Sequence, residues 1–375
     1  MRLMFIYESM AIWGGLERIW TDRMNYMVRV YGIDVYLITT IQGSHPLPYM
    51  LDSRVHVKDL GIQFHYAYRY RGLRRIYEKY FRHRIFERRL AEEIINIQPD
   101  IISCAAARYV PTLMKLKGEI PLIAEAHENC LTTYYSQSMK IVQFLMKKAL
   151  FNSLRKVDII VALTDGDKKD WVKYNSNTIV IPNIVHLNDS KKYSDNMGKN
   201  IIFVGRFTDQ KGLPSLLKIW MSVFRKHPDW TLSIYGEGPL GMWLENEVSL
   251  RYNGISIYAP TPDIMQKYIG SSILMSTSNH EPFGLVIPEA MSCGLPVVAF
   301  DCPYGPGSII TDGEDGFLIK ISDCESFANK ICYLIEHPEE RKRMGRNAII
   351  SSQRYRPENI MPQWIELYKS IKNGI

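Results

Sequence analysis

Residues 281–298 read EPFGLVIPEAMSCGLPVV and contain the repeating unit of the fold. It follows a short apolar strand and predicts a helix that begins near Phe283 and Gly284. Pro288 falls in or near the first turn, where its missing N–H costs little, and Gly294 is placed to end the helix. The apolar residues that follow predict another strand. This order of strand, loop, helix and strand is the unit from which parallel α/β sheets are built.

Short apolar strands alternate with longer helical segments on both sides of this stretch. In the first half of the chain, strands are predicted at residues 3–7, 35–38, 100–103, 121–124, 158–163 and 178–181. In the second half, strands are predicted at residues 201–204, 231–235, 255–257, 273–275 and 296–300. This alternation implies an α/β fold with parallel sheets that helices cover on both faces.

The chain is long enough for two domains, since 375 residues exceed what one ordinary core organises. Residues 187–200 turn polar and lose any apolar period, so we place an interdomain linker there. We expect a Rossmann-like domain over residues 1–190 and a second over residues 198–357. The C-terminal helix, residues 358–375, is expected to pack back on the first domain, and the two sheets are expected to face each other across a cleft.

The composition is that of a folded soluble protein, with 46% hydrophobic and 23% charged residues. The six cysteines show no CxxC pair and no ligand spacing, so we expect reduced thiols, a cytoplasmic location and no structural zinc. The first residues are too briefly apolar for a signal peptide. No run of about 18 apolar residues occurs, so we expect no membrane-spanning helix.

A stretch rich in basic and aromatic residues interrupts the first domain. Nine arginines and lysines lie between Arg69 and Arg89, and only Glu78 and Glu87 oppose them. Aromatic rings alternate with these cations over residues 66–86. The combination suits an anionic membrane surface, here the inner face of the plasma membrane. The alternative is a solvated helix face with its rings in the core. Nucleic acid also fits the charge, but we do not expect it as a partner.

The predicted helix start at residue 283 is a candidate anion site. The backbone N–H groups of Phe283, Gly284 and Leu285 have no partners inside the helix, and a helix N-terminus is electropositive. Glu281 and Glu289 flank these groups, and an ionised carboxylate accepts hydrogen bonds from ligand hydroxyls. The segment therefore predicts a site for a ligand that is both phosphorylated and hydroxylated.

The run from Glu281 to Glu289, with the following EAMSCGLPVV, resembles the donor-binding motif of glycosyltransferase family 4, which has the GT-B fold. Other parts of the sequence occur in the order that this family shows, densely in the second half and loosely in the first. They are Gly14-Gly15 with Glu17, His127, Pro182-Asn183, Val204-Gly205-Arg206-Phe207, Gln210-Lys211-Gly212, Tyr235 to Pro239, and Asp312 to Phe317.

The resemblance implies a retaining glycosyltransferase that moves a hexosyl unit from a nucleotide sugar. The residues that match catalytic positions are His127, Arg206, Lys211 and Glu281. The donor-binding residues that we expect are Gly14, Gly15, Gly236, Tyr258, Pro260, Phe283, Gly284, Leu285 and Glu289, with the loop of Tyr258 and Pro260 beside the base. Arg206 and Lys211 would face the diphosphate, whose negative charge grows as the glycosidic bond breaks. With protein cations in that place, neither a metal ion nor a cofactor is expected.

The acceptor that the resemblance implies is a glycan or a polyprenyl-linked oligosaccharide of a bacterial surface polysaccharide, such as capsule, O-antigen or exopolysaccharide. Two further functions remain open within the same fold. One is a sugar-nucleotide epimerase, which would act on the donor alone. The other is a non-catalytic module that binds a nucleotide sugar.

Two other enzyme classes would account for only part of these residues. A glycosidase would use Glu281 and Glu289 as acid and nucleophile, but it explains neither Arg206 nor Lys211. A dinucleotide oxidoreductase would use the GxGxxG run over residues 236–241. That fingerprint needs an acidic residue at the end of the next strand, which here ends without one.

Overall fold

The computed structural model describes residues 1–12, 14–105, 107–127 and 140–374. The chain divides into two compact units. Unit 1 comprises Met1–Ile184 and Ile360–Ile375, and unit 2 comprises Val185–Asn359. In the described part of the chain, no helix combines the length and the apolarity that crossing a membrane requires.

Each unit is built on one sheet whose neighbouring strands are all parallel. The strands of unit 1 are β1 Arg2–Tyr7, β2 Asp34–Thr39, β3 His56–Asp59, β4 Ile101–Cys104, β5 Leu122–Glu125, β6 Ile159–Ala162 and β7 Thr178–Val180. The strands of unit 2 are β8 Asn200–Val204, β9 Thr231–Tyr235, β10 Ile255–Tyr258, β11 Ile273–Ser276, β12 Val297–Phe300 and β13 Gly316–Ile319. The strand orders are β3-β2-β1-β4-β5-β6-β7 and β10-β9-β8-β11-β12-β13.

Helices connect most of these strands. They are α1 Gly15–Val30, α2 Gly72–Ile97, α3 Val110–Leu116, α4 Lys140–Leu154, α5 Asp165–Trp171, α6 Leu213–Lys226, α7 Gly241–Arg251, α8 Ile264–Ile269, α9 Val286–Ser292, α10 Pro306–Ile309, α11 Cys324–Glu336, α12 Pro338–Ser352 and α13 Pro357–Lys372. Residues 360–372 of α13 belong to unit 1, although they follow unit 2 in sequence.

Both strand orders are those of a Rossmann-like sheet, so the predicted α/β class with two such sheets is confirmed. In this topology the strand order reverses once, between β1 and β4 in unit 1 and between β8 and β11 in unit 2. Ligands of such sheets bind beyond the carboxyl ends of the strands at this switch point. The topology therefore indicates where in each unit a site is to be sought.

Burial follows the sequence pattern in both units. The central strands β4, β11 and β12 are buried along their whole length, as expected for a sheet covered on both faces. Helix α6 buries residues at a helical spacing, among them Leu213, Leu217 and Trp220. Each such large side chain contributes about 1.5–3 kcal/mol on burial. These contacts hold the loop that precedes α6 at the carboxyl end of β8.

Two strands were not predicted. Strand β3 is a short, mostly exposed edge strand with the sequence HVKD, which carries no clear apolar pattern. Strand β13 has the sequence GFLI and follows a glycine-rich acidic turn that obscures it. Strand β3 lies at a sheet edge, where exposure leaves little pattern in the sequence, whereas β13 is mostly buried but only four residues long.

The polar segment over residues 187–200, where sequence places a linker, packs within unit 2. The Ser194 N–H donates to the Cys293 carbonyl at 2.9 Å, and the Asn196 side-chain amide donates to the Gly294 carbonyl at 3.0 Å. The buried Arg341 guanidinium donates to the Asn196 carbonyl at 2.7 Å. Hydrogen bonds therefore attach this polar segment to the unit, and Leu187 at its start is buried as well.

Candidate functional site

The loops that follow β8 and β11 are joined at the switch point of unit 2. After β8 the chain forms a short 3-10 helix, Asp209–Lys211. The Asn279 N–H donates to the Gln210 carbonyl at 2.8 Å, and the Asn279 side chain donates to the Asp209 carbonyl at 2.8 Å. The Thr277 hydroxyl donates to the Lys211 carbonyl at 2.9 Å. These bonds hold the two loops as one rigid surface.

Gly212 permits this close approach. Its φ of +63° lies in the left-handed region that glycine tolerates. A Cβ atom there would lie 2.1 Å from the Thr277 carbonyl oxygen, far inside van der Waals contact. The glycine of the sequence element Gln210-Lys211-Gly212 is therefore required by the contact between the loops.

Lys211 and Glu281 form an ion pair across this junction. The lysine Nζ donates to Glu281 Oε2, and the Ser278 hydroxyl donates to the same oxygen at 3.2 Å. The side chains are 16% and 12% exposed. Because both side chains are largely buried, salt screens their attraction only weakly, but a ligand can still reach their exposed parts. Because a lysine ammonium has three donors, Lys211 keeps hydrogen-bonding capacity beyond Glu281.

Cys302 lies close to this pair, but its thiol is not activated. Burial raises the pKa of Cys302 to about 12, and the nearby negative charge of Glu281 acts in the same direction. The thiol therefore stays neutral at physiological pH, so it is not a candidate nucleophile.

Helix α9 begins at Val286, later than the predicted start near residue 283. Gly284 has a φ of +93°, which is outside the helical region, and a Cβ there would lie 2.9 Å from Glu281 Cγ. The first bonds in this turn run from the Ile287 N–H to the Gly284 carbonyl at 3.0 Å and from the Glu289 N–H to the Leu285 carbonyl at 3.1 Å. The backbone of residues 283–285 therefore forms the approach to the helix and not its first turn.

Glu289 lies in the first turn of α9 and is buried. Its Oε2 lies 3.5 Å from the Tyr268 hydroxyl oxygen. Burial raises the pKa of the neighbouring Cys293 thiol to about 12, and the Glu289 charge adds to the effect. The Glu289 carboxylate is therefore buried at the start of α9, away from bulk water.

The remaining unit 2 residues of the prediction lie at the carboxyl ends of neighbouring strands. Arg206 follows β8, is exposed, and has no ion-pair partner among the residues that the structure describes. The Gly236 N–H donates to the Tyr258 carbonyl at 3.0 Å. The Tyr258 ring stacks on Tyr235 with a centroid distance of 4.7 Å, and Pro260 is exposed just beyond it. A stacked pair of aromatic rings therefore lies at the same carboxyl ends of the strands.

In unit 1, the predicted glycines lie at the start of α1, beyond the carboxyl end of β1. Gly14 is the N-cap residue and Gly15 is the first residue of the helix. Glu17 lies in the first turn, where its buried carboxylate accepts a hydrogen bond of 3.3 Å from the Tyr7 hydroxyl. Burial raises the pKa of Glu17. A Cβ at Gly14 would lie 2.0 Å from the Glu17 carboxylate, so this turn is filled by Glu17 itself.

His127 belongs to a buried polar network that the sequence did not reveal. Its Nε2 lies 2.8 Å from Glu125 Oε2, which also accepts a hydrogen bond of 3.1 Å from the Trp20 indole. Arg23 and the Ser103 hydroxyl both donate to the other carboxylate oxygen. Burial alone would raise the Glu125 pKa, but Arg23 and His127 outweigh it and hold that pKa well below its usual range.

Two residues that contact the predicted site residues were missed, and only one of them had a signal in the sequence. Glu125 is a charged residue at the end of an otherwise apolar strand, which is typical of a buried carboxylate with a partner. Ser278 stands in a polar loop and has no distinguishing pattern. Within the described residues, no three His, Cys, Asp or Glu side chains are grouped as a metal site would need.

Comparison with known proteins identifies two adjoining family regions. Residues 13–189 match the model described as Glycosyltransferase Family 4, and residues 187–351 match the model described as Glycosyl transferases group 1. An uncharacterized glycosyltransferase of Haemophilus influenzae is 27% identical over 96% of this chain and 98% of that protein. The amylovoran biosynthesis glycosyltransferase AmsD of Erwinia amylovora is 31% identical over 56% of this chain and 61% of that protein.

Solved structures share the fold over nearly the whole chain. A variant of Staphylococcus aureus TarM, in complex with Fondaparinux, alpha-GlcNAc-glycerol and UDP, aligns with a TM-score of 0.78 and 15% identity over 98% of this chain and 99% of that one. Anabaena HepE in complex with UDP-glucose aligns with a TM-score of 0.74 and 19% identity over 98% of this chain and 99% of that one. Together the two family models cover residues 13–351, so the chain belongs to the family 4 glycosyltransferases, and the solved structures show that it has the GT-B fold.

Proposed function

We propose that this glycosyltransferase moves a hexosyl unit from a nucleotide sugar to a glycan or lipid-linked oligosaccharide acceptor, with retention of anomeric configuration, in bacterial surface polysaccharide biosynthesis. The observation that carries the proposal is the Lys211–Glu281 ion pair at the switch point of unit 2. It sets a cation and a carboxylate side by side where Rossmann-like sheets bind ligands. A sugar diphosphate needs both groups, one for its phosphates and one for its hydroxyls.

We assign the parts of the donor to residues of unit 2 according to their charge. Lys211, Arg206 and the backbone of residues 283–285 take the diphosphate, whose negative charge grows as the leaving group departs. Because Glu281 already holds Lys211 in place, little reorganisation is needed when that charge develops. Glu281 takes hydroxyls of the transferred sugar with its remaining acceptor positions.

The nucleoside part of the donor is assigned to other residues of unit 2. The buried carboxylate of Glu289 takes the ribose hydroxyls, since a carboxylate can accept two hydroxyl donors at once. The stacked pair of Tyr258 and Tyr235, with Gly236 and Pro260 beside it, lines the place of the base.

Neither glutamate is assigned the role of a nucleophile. Glu281 is paired with Lys211 and is assigned to the hydroxyls of the sugar. Retention is inferred from the resemblance to the family, and in this account the cations that stabilise the leaving group supply most of the catalysis. For His127, Gly14 and Gly15 of unit 1, a role in donor binding rests on the resemblance to the family alone.

No divalent ion is needed in this account, because Arg206 and Lys211 supply the positive charge that a metal would otherwise provide. Transfer should therefore proceed unchanged in excess EDTA. Loss of activity in the chelator, with recovery on addition of Mg²⁺ or Mn²⁺, would show that the cations are insufficient.

Relatives named for surface polymers support the proposed acceptor class. Besides the amylovoran enzyme, a Poly(ribitol-phosphate) alpha-N-acetylglucosaminyltransferase of Staphylococcus aureus is 28% identical over 60% of this chain and 46% of that protein. A Poly(glycerol-phosphate) alpha-glucosyltransferase of Bacillus subtilis is 26% identical over 44% of this chain and 24% of that protein. We carry over the class of acceptor from these names, and not a particular polymer.

The test has two stages. A thermal-shift panel of UDP-, GDP-, ADP- and dTDP-sugars identifies the donor, since a bound ligand stabilises the folded state by mass action. NMR of the product with an isolated lipid-linked acceptor then reads its anomeric configuration, which should equal that of the donor. An inverted product would refute retention. Conversion of the donor to another nucleotide sugar without acceptor would favour the epimerase, and binding without any turnover would favour the non-catalytic module.

A further inference from the structure

Helix α2 begins with an apolar stripe that faces solvent. Leu73, Ile76, Tyr77, Tyr80 and Phe81 recur at spacings of three and four residues, which places them on one face of the helix. Their exposed fractions range from 49% to 84%. Folded proteins rarely expose a contiguous set of large apolar side chains without a binding role. We call these five residues the apolar stripe.

The second half of the same helix behaves differently. Phe86, Leu90, Ile94 and Ile97 continue the helical spacing and are buried in the core of unit 1. This half supplies the packing that holds the helix on the unit. The exposed stripe in the first half is therefore not needed for the fold of unit 1.

Cations surround the stripe, and the protein does not neutralise them. Arg69, Arg71, Arg74, Arg75 and Lys79 form no ion pair with a carboxylate among the described residues, whereas Arg82 and Arg84 further along the helix do. We call the first five the cation group. It carries a formal charge of +5, one for each side chain.

The position of these cations disfavours the helix itself. Arg71 is the N-cap residue of α2, Arg74 and Arg75 lie in its first turn, and no acidic residue is found in that turn. Positive charges at a helix N-terminus oppose the helix dipole and destabilise the helix. Helix stability therefore does not explain the charges, and an external anionic partner does.

Tyrosines beneath these cations hold some of them in place. The Arg69 guanidinium lies 3.9 Å from the Tyr66 ring centroid, and that of Arg74 lies 4.3 Å from the Tyr70 ring centroid. Such contacts orient a guanidinium without cancelling its charge. The surface therefore presents fixed positive charge next to exposed apolar side chains.

We propose that the apolar stripe and the cation group form a docking surface for an anionic phospholipid bilayer. A helix of this kind lies in the plane of the interface with its apolar face among the upper acyl chains. Leucine and isoleucine enter that layer, tyrosines occupy the headgroup level, and arginines meet lipid phosphates. Nucleic acid would use the cations and rings but would leave Leu73 and Ile76 without a role.

Co-sedimentation of the full chain with vesicles tests the surface. The wild type should bind vesicles that contain phosphatidylglycerol far better than vesicles of phosphatidylcholine alone, and added salt should weaken the binding. Arg74→Gln with Lys79→Gln should reduce the partition coefficient about 30-fold, which corresponds to about 1 kcal/mol for each cation. Leu73→Ser with Ile76→Ser should reduce it by roughly tenfold or more.

Matched controls lie in unit 2. Met242 and Leu250 on α7 are 77% and 76% exposed, so Met242→Ser with Leu250→Ser removes equal apolar exposure elsewhere. Lys218→Gln with Lys267→Gln removes two exposed cations elsewhere. Both control pairs should bind vesicles like the wild type. All the substituted residues are largely exposed, so the variants should melt within a few degrees of the wild type.

Three results would overturn the proposal. The first is vesicle binding that does not depend on anionic lipid. The second is unchanged binding by either variant of α2. The third is that the protein binds RNA but not vesicles, and that the Leu73→Ser, Ile76→Ser variant binds the RNA as well as the wild type does. That result would indicate a nucleic-acid surface. Because the assay contains neither donor nor acceptor, its outcome is independent of the proposed transferase reaction.

Discussion

Lys211 is the residue on which the account of catalysis depends most. It is fixed by Glu281 through its side chain and by Thr277 through its carbonyl. Removing one preorganised positive group from a developing negative charge costs about 10²–10³ in rate. Lys211→Ala should therefore lower kcat by about that factor in steady-state transfer assays. Lys218→Ala, which removes an exposed lysine of α6, is the control and should keep wild-type kcat. A Lys211→Ala enzyme with undiminished kcat would contradict the assignment.

Glu125 is expected to govern the stability of unit 1. Replacing it with glutamine leaves Arg23 buried without a carboxylate, at a cost of about 3–5 kcal/mol near neutral pH. The folded-state pKa of Glu125 is lowered, so its contribution is present above the pKa of the unfolded chain, about 4.3, and is lost as pH falls further. The difference in Tm between wild type and Glu125→Gln should thus narrow below about pH 4.

Thermal melts across a pH series measure this effect. Glu119→Gln changes an exposed glutamate of the same unit and should leave Tm unchanged. A Glu125→Gln protein that melts with the wild type at pH 7 would show that the buried network contributes nothing.

The spacing of motifs in the sequence predicted individual site residues but not the contacts between them. It led to Lys211 and Glu281 as separate parts of a motif, but not to the contact between them, which depends on two loops about 70 positions apart meeting at the switch point. It pointed to His127 but not to Glu125, since the partner of a buried carboxylate is set by packing between strands and helices. The roles of these residues remain predictions.

Among the elements, the junction of the loops after β8 and β11 is the most sensitive to a small change. Gly212→Ala would place a methyl group against the Thr277 carbonyl and push the loops apart. We expect donor affinity and kcat/KM to fall by roughly tenfold or more, since catalysis depends on positioning of this order. Gly313→Ala is the control, because Gly313 also has a positive φ but nothing lies within 4 Å of the added Cβ.

Both variants carry the same kind of backbone strain, and only one disturbs the loops. Equal kinetic effects from Gly212→Ala and Gly313→Ala would mean that strain, and not the position of the loops, limits the enzyme.

The elements were predictable where burial imposes a period. Strand β9 was predicted at its observed bounds, and most of the other strands were predicted to within two residues. The start of α9 was misplaced because Gly284 takes a φ of +93°, which no apolar pattern reveals. The segment over residues 187–200 was assigned to a linker because it is polar, whereas side-chain hydrogen bonds attach it to unit 2.

For the whole molecule, the C-terminal helix links the two ends of the sequence. Trp364 of α13 is buried in unit 1, and the Arg23 guanidinium lies 4.0 Å from its ring centroid. Trp364→Ala should cost about 3–5 kcal/mol. In calorimetry we expect the transition of unit 1 to fall by roughly 10 °C while that of unit 2 stays in place. Glu366→Ala, at an exposed position of α13, is the control, and an unshifted unit 1 transition in Trp364→Ala would contradict this role.

The proposed function requires that unit 2 binds a nucleoside diphosphate through the cations of the loop after β8. Calorimetric titration of UDP, GDP, ADP and dTDP into the wild type and into Arg206→Ala, Lys211→Ala and Lys218→Ala tests it most directly. At least one nucleotide should bind the wild type. Its affinity should fall by about tenfold or more in each of the first two variants, since charge-assisted contacts contribute about 1.5–3 kcal/mol, and should be unchanged in the third. A wild type that binds none of the four, or equal affinities in all the variants, would contradict the claim.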